Sequence, residues 1–302
     1  MKVAEITRFG GPEVFRIAER PDPVPGPGQV VVRIMAASVN PTDLATREQP
    51  YTPGLELPLV LGWDLAGVVT AVGDEVGGYA PGDRVCGMIP FGRIAGRVGA
   101  YAEAAAVQPD WLAHLPGNVS FEEAATLPLN SLTAHQALAF FHLDPGARLL
   151  ITGASGGVGG FATSLAVRAG LHVIGVAGRD DDAWVEGLGA AEVLPRDADL
   201  GAIATVDGVL DAVPVGPARS TPALRDGGTA VFTREPEPAT SRRVHLVAMR
   251  VQSDPALAEM ARLLGEGVLK TRVARVLPLD DVAEAHRLAG TGGLHGKVVL
   301  KP

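Results

Sequence analysis

Apolar and polar positions divide the chain into two kinds of region. Over residues 1–117, short apolar runs alternate with turn residues. Runs at 2–6, 15–19, 30–37 and 65–73 read as strands, and Pro81-Gly82-Asp83 is a turn feeding another at Arg84-Val85. The stretch 21–29 carries Pro21, Pro23, Pro25 and Pro27, so it is an extended loop. Many short strands with Gly/Pro turns predict a small, partly open barrel.

The pattern changes at Ser120. Ser120 with Glu123 three residues on is a capping box, opening a helical region that runs through 133–141. Beyond it, apolar runs at 148–152, 172–177, 191–194, 207–213, 229–233 and 244–248 alternate with helix-compatible segments, which predicts a doubly wound parallel sheet. Asp254-Pro255 starts a further helix, and Gly265 and Gly267 break it. The tail returns to strand (271–277), helix (281–288) and strand (297–300). It is too short for a domain of its own. The expected division is therefore a discontinuous β-rich domain, 1–118 with 266–302, and an α/β domain, 119–265.

One stretch carries chemistry. The apolar run at 148–152 leads into Gly153-Ala154-Ser155-Gly156-Gly157-Val158-Gly159, with Gly153, Gly156 and Gly159 spaced three apart. A helix-compatible segment then ends at Gly170, and a second strand follows. This strand–turn–helix–strand unit is the setting of a dinucleotide site. Absent side chains let a pyrophosphate approach the backbone, and the helix start offers free N–H groups. A glycine-rich turn in another α/β protein is the bland alternative. The second strand ends at Gly178-Arg179, 20 residues past Gly159. An acid there would hold the ribose 2′-hydroxyl of NAD, whereas an Arg accommodates the 2′-phosphate of NADP. Arg179 thus favours NADPH. Asp180, Asp181 and Asp182 follow, either capping the next helix or bending back to the ribose.

Composition removes other classes. A net charge of −8 argues against a nucleic-acid partner. No apolar run reaches the about 18 residues needed to span a membrane, and no signal peptide is expected. One Cys among 302 residues excludes an internal disulfide framework and suits the cytoplasm. Gly (38) and Pro (24) are spread through turns and form no low-complexity tract, so a disordered tail is not expected.

Across nearly its whole length the chain resembles the zinc-independent quinone oxidoreductases of the medium-chain dehydrogenase/reductase superfamily. The resemblance rests on Ser38-Val39-Asn40-Pro41-Thr42-Asp43, Leu61-Gly62-Trp63-Asp64-Leu65-Ala66-Gly67 and Pro81-Gly82-Asp83-Arg84-Val85. It continues through Glu122-Glu123-Ala124-Ala125-Thr126-Leu127-Pro128, the glycine loop and Gly296-Lys297-Val298-Val299-Leu300. It implies a GroES-like domain, a Rossmann domain and a cleft between them where NADPH reduces a quinone or an activated alkene. It also implies a homodimer paired through the sixth strand of the sheet, near 244–248, where an apolar edge is left open.

A catalytic zinc needs about three N, S or O ligands and an open position. Zinc-dependent relatives carry a Cys where this chain resembles them with Asn40, and their Gly-His-Glu is Gly62-Trp63-Asp64 here. Cys86 has no Cys or His at ligand spacing and reads as a packed side chain. No metal is expected. The resemblance places Asn40 at the nicotinamide ribose or substrate, although Asn before Pro is also a common turn residue. Tyr51 matches a pocket tyrosine, with simple packing as the alternative. A second tyrosine of many relatives is Ala45 here, which leaves the proton donor open. Thr126 and Thr133 fall where relatives contact the nicotinamide, with helix capping as the alternative. The full candidate set is Tyr51 and Asn40 for catalysis. For cofactor binding it is Asn40, Thr126, Thr133, Gly153, Ser155, Gly156, Gly157, Val158, Glycines 159 and 178, Arg179 and Lys297. His135 and His142 read as structural or exposed. An enone or enoyl reductase and a non-catalytic NADPH-binding sensor are the competing functions.

Overall fold

The computed structural model describes residues 1–50, 55–90, 99–236 and 244–302. The described residues form two compact units: 1–129 with 253–266 and 271–302, and 130–252 with 267–270.

The first unit contains β1 (Lys2–Ile6), β2 (Phe15–Glu19), β3 (Val30–Ser38), α1 (Pro41–Glu48), β4 (Leu59–Val60), β5 (Asp64–Val72), β6 (Arg84–Met88), β7 (Ala104–Val107), β8 (Leu112–His114) and α2 (Phe121–Ala125). β2, β1 and β4 make one antiparallel sheet. A larger sheet is built around β3, which pairs with both β5 and β7. The strands expected at 2–6 and 15–19 stand as drawn. Helix α1 was not expected, because Pro-Thr-Asp-Leu-Ala-Thr-Arg-Glu shows no apolar periodicity. Its start nevertheless follows ordinary rules: Asn40 caps it, Pro41 is its first residue, and the Asp43 carboxylate accepts from the Asn40 backbone N–H.

Helix α3 (Pro128–Leu138) leads into the second unit, which holds β9 (Arg148–Thr152), α4 (Gly157–Arg168), β10 (His172–Ala177), α5 (Asp182–Gly187), β11 (Glu192–Pro195), β12 (Val206–Asp211), α6 (Pro217–Ser220), β13 (Leu224–Phe232) and β14 (His245–Ala248). All six strands are parallel, in the order β11-β10-β9-β12-β13-β14. This is the doubly wound arrangement expected, with β14 at an edge. Both faces are covered, so central strands read as continuous apolar runs: Leu149, Leu150 and Ile151 are all fully buried. Leu150, Ile174, Val209, Ala230 and Phe232 form the core of one face.

The chain then returns to the first unit through α7 (Leu257–Gly265), β15 (Val273–Pro278), α8 (Val282–Thr291) and β16 (Lys297–Lys301). β16 runs antiparallel to β3, setting Val299 opposite Ser38. Residues 119–129 and 253–266 group with the first unit, where the sequence places its boundaries at 118 and 266. The reason is packing: α2 lies on β3 and β5, and α7 lies against β8. Among the described residues, no helix is long and apolar enough to cross a membrane.

Candidate functional site

In the first unit, residues 38–43, Asp64 and Lys297 bring polar side chains into one buried cluster. β3 ends at Ser38, Asn40 caps α1, and Asp64 opens β5. The β16–β3 pairing carries Lys297 alongside, with the Val39 N–H donating to Val298 O. The Lys297 ammonium donates to Val39 O at 2.7 Å and to Asn40 Oδ1 at 2.6 Å. Asn40 is fully buried, and its Nδ2 donates to Asp64 Oδ2 at 2.9 Å and to Ser38 Oγ at 3.3 Å. Ser38 Oγ donates in turn to Asp64 Oδ2, and Asp64 Oδ1 accepts the Leu129 N–H. Asp43 Oδ1 accepts the Gly62 N–H at 3.1 Å. Gly62 sits at φ +104°, and a Cβ on it would stand 2.6 Å from Tyr101 Cδ1. That glycine is therefore required by the close approach of the Ala100–Tyr101 segment.

These contacts change the expected roles of Asn40 and Lys297. Both amide hydrogens of Asn40 are spent inside the cluster, so the side chain orders its neighbours and does not offer a donor to a substrate oxygen. Lys297 turns its ammonium onto Asn40 and the Val39 carbonyl, where the charges of Asp64 and Asp43 favour its protonated form. Neither arrangement shows in a linear sequence, because Asn40 meets Asp64 through the β3–β5 pairing and Lys297 meets Asn40 across 257 positions through the β16–β3 pairing.

Burial dominates the electrostatics. It pushes the Asp43 carboxyl up to about 7, against the bonds from Asn40 and Gly62. It pushes Asp64 up to about 6, opposed by Asn40 and Lys297. It lowers Lys297 to about 8, opposed by Asp64 and Asp43. Two buried carboxylates and one ammonium thus titrate together near neutral pH: the ammonium favours the ionised form of each carboxylate and they favour its charge, while Asp64 disfavours ionisation of Asp43. Trp63 is buried between Gly62 and Asp64. Among the described residues, no three His, Cys, Asp or Glu side chains gather as a metal site. Cys86 is buried in β6 with its thiol pushed up to about 12 by burial, as fits a packed side chain.

In the second unit the glycine loop follows β9 and leads into α4. Gly153 has φ +64°, and a Cβ there would lie 2.5 Å from Val213 Cγ1. A Cβ on Gly159 would lie 2.1 Å from Gly153 O, and one on Gly157 would lie 2.7 Å from Asn130 Oδ1. The turn is therefore closed to side chains and its backbone is presented bare. Gly156 caps α4, so Gly157 and Val158 stand in its first turn, whose N–H groups lack helical acceptors. The strand order reverses between β9 and β12, where ligands of such sheets bind. The residues present fit the pyrophosphate of a dinucleotide.

Sequence reading missed the support for this loop. Asp211, at the end of β12, is buried and pushed up by that burial. Its carboxylate accepts from Thr152 Oγ1 at 2.6 Å and from Gly216 N at 2.9 Å. It thereby pins the loop that lays Val213 over Gly153. An acid at the end of a predicted strand beside the switch point was the available signal.

The remaining candidates are more dispersed. Gly178 follows β10, and Arg179 is exposed, 3.9 Å from Asp197. Asp181 is buried at the start of α5, as a helix cap would be. Ser155 is half-buried in the loop. Thr126 is fully buried in the first unit, and its hydroxyl donates to Glu123 O and bonds Thr271 Oγ1 at 2.6 Å, a capping role. Thr133 is buried in α3. His135 is half-buried and His142 exposed. Tyr51 lies outside the described residues.

Two family models match the chain: the alcohol dehydrogenase GroES-like domain over residues 26–117 and the zinc-binding dehydrogenase over residues 188–300. The chloroplastic quinone-oxidoreductase QR1 of Triphysaria versicolor is 31% identical, over 97% of this chain and 95% of its own. The chain belongs to the medium-chain dehydrogenase/reductase superfamily and is related to its quinone oxidoreductases. The superfamily's two parts are present, an N-terminal GroES-like domain and a Rossmann-like parallel sheet. The solved quinone oxidoreductase from Coxiella burnetii superposes with a TM-score of 0.89 at 30% identity, covering 100% of this chain and 99% of that one. A structure described as an NAD-dependent alcohol dehydrogenase superposes with a TM-score of 0.91 at 33% identity, covering 100% of both chains. Fold similarity within the superfamily therefore extends across proteins described by different reactions, and the choice rests on the residues of the sites.

Proposed function

We propose that this protein is an NADPH-dependent oxidoreductase that reduces a quinone without zinc. The carrying observation is an intact glycine cradle combined with Asn40 and Trp63 at the positions where zinc relatives carry metal ligands, with the Lys297 ammonium bonded to Asn40 in the buried cluster. A cation is already built into that cluster, and the side chains around it satisfy one another.

The bare backbone of Gly153, Gly156 and Gly159 admits the pyrophosphate, and Ser155, Gly157 and Val158 supply the turn and helix-start amides that hold it. Gly178 and Arg179 follow the strand that leads to the adenosine ribose. Thr126 and Thr133 are the nicotinamide-side candidates. When bound, the nicotinamide supplies a hydride to the acceptor. The chain's task is then to steady the negative charge that develops on the substrate oxygen. Tyr51 is the proposed hydroxyl for this, with solvent as the proton source. Asn40 and Lys297 serve by fixing β3, α1 and β5 around the cluster.

Nicotinamide oxidation in the presence of a simple quinone tests the proposal, with elemental analysis for zinc on the same sample. Turnover without stoichiometric metal supports it, and one tightly held zinc per chain overturns it. The half-buried Ala45 favours activated alkenes as second substrates, because a tyrosine of many relatives is lost there and the space is freed. A substrate panel separates the two. Tight NADPH binding with no turnover on either class points to a sensor. We further propose a homodimer paired through the β14 edge, with light scattering as its test.

A further inference from the structure

The sequence points to Arg179 as the residue that reads the adenosine end of the cofactor. The structure points to its neighbour across the sheet. β10 and β11 are parallel, with Ala177 opposite Pro195. Extending that register by one residue sets Gly178 beside Arg196, and by two sets Arg179 beside Asp197. Both contacts are present. The Arg196 guanidinium lies over Gly178, with its Nη2 3.5 Å and its Cζ 3.6 Å from the place a Cβ would take. Arg179 faces Asp197 at 3.9 Å.

The two arginines are employed differently. Arg179 shares its charge with Asp197, both being largely exposed. Among the described residues, the Arg196 guanidinium forms no hydrogen bond or ion pair, and only its backbone carbonyl is used, as acceptor for Arg219. That bond draws a third guanidinium to the same strand end. Of the acids on these loops, Asp197 pairs with Arg179 and Asp199 accepts the Gly201 N–H, while Asp180 opens the turn after Arg179. The Arg196 guanidinium has no anionic partner among the described residues, and a bound anion would offset its charge together with that of Arg219, whose Nη2 reaches the Arg196 carbonyl. Gly178 has no side chain, so the face of Arg196 that lies on it stays open beside the strand end where a Rossmann sheet receives the adenosine ribose.

We infer that Arg196, rather than Arg179, recognises the 2′-phosphate of NADPH, with Arg219 as the adjoining cation. The inference rests on the dinucleotide reading above and specifies which residue makes it selective for the phosphorylated form. Planar guanidinium groups pair with phosphate oxygens through two parallel N–H bonds, which suits a phosphate on the ribose and offers nothing equivalent to a hydroxyl.

The test is calorimetric titration of the full chain with 2′,5′-ADP and 5′-AMP, which share adenosine and differ at the 2′ position, alongside NADPH and NADH. The wild type is expected to favour 2′,5′-ADP over 5′-AMP by roughly tenfold or more. Arg196→Gln is expected to erase most of that preference with 5′-AMP affinity unchanged, and Arg196→Lys to restore part of it. Arg179→Gln should keep most of it. Both sites are exposed, so melting temperatures should not move. Loss of preference in Arg179→Gln with retention in Arg196→Gln overturns the inference and leaves NADPH selectivity standing. A wild type that binds NADH and NADPH equally, and 5′-AMP as well as 2′,5′-ADP, overturns the NADPH reading itself.

Discussion

The polar cluster of the first unit and the glycine cradle of the second are built in opposite ways. The cluster is crowded with side chains that satisfy one another: Lys297, Asn40, Ser38 and Asp64 form a closed chain of bonds, with Asp43 joined through the Asn40 backbone. The cradle is a place from which side chains are excluded, so that the backbone of the turn and the start of α4 are left bare. The first stores charge internally and is sensitive to loss of any member. The second is prepared for an external anion and is sensitive to any addition. Subtraction should therefore injure the cluster, and addition should injure the cradle.

The largest effect on dinucleotide binding is expected from addition. In Gly159→Ala the new methyl meets Gly153 O at 2.1 Å, so the loop must move. Overpacking of this kind costs about 1–3 kcal/mol, and dinucleotide affinity should fall by up to roughly a hundredfold. Gly187→Ala is the control, since nothing lies within 4 Å of its would-be Cβ. Equal NADPH dissociation constants for the two variants would remove the cradle from the binding site.

Subtraction comes next. Lys297→Met leaves Asp43 and Asp64 buried without their cation. Removing one partner of a buried pair costs about 3–5 kcal/mol, and because Lys297 is only partly buried the expectation lies near the lower end. The loss should depend on pH. A carboxylate whose folded pKa is raised binds more protons in the folded state, so stability falls as pH climbs through that pKa. Asp64 at about 6 and Asp43 at about 7 set the window, and without Lys297 it should widen upward. Melting temperatures of the variant should approach wild type near pH 5 and separate above pH 7. A gap independent of pH would mean that the ammonium is not what offsets the carboxylates.

A chemical effect is expected to be smaller. If the Tyr51 hydroxyl steadies the developing oxyanion, Tyr51→Phe should lower kcat by roughly tenfold on a quinone and more on a weakly activated alkene, with NADPH affinity unchanged. Unchanged kcat on both substrates would leave backbone amides or solvent to carry the charge. The smallest change belongs to Ser38→Ala. Ser38 sits on the longest bonds of the cluster, at 3.2 Å and 3.3 Å, and Asp64 keeps its bonds to Asn40 and Leu129. A loss of about 1 kcal/mol or less in denaturant unfolding is expected. A loss comparable to that of Lys297→Met would show the cluster to be a single cooperative unit.

What the sequence by itself determined is what depends on neighbours along the chain. The strands at 148–152 and 172–177 are visible as apolar runs, and the cradle as three glycines between a strand and a helix, because Gly156 and Gly159 answer to contacts within their own loop; Gly153 answers to Val213, which the sheet brings over it. Helix α1 escaped because capping, and not amphipathic period, defines it. Tertiary structure alone decided the rest. Whether Lys297 faces a cofactor or Asn40 follows from the antiparallel β16–β3 pairing, and whether Arg179 or Arg196 is left unpaired follows from the β10–β11 register. Charged side chains have long reach and several suitable partners. Sequence fixes which of them exist, but the sheet fixes which of them meet, and burial then fixes how strongly each holds its proton.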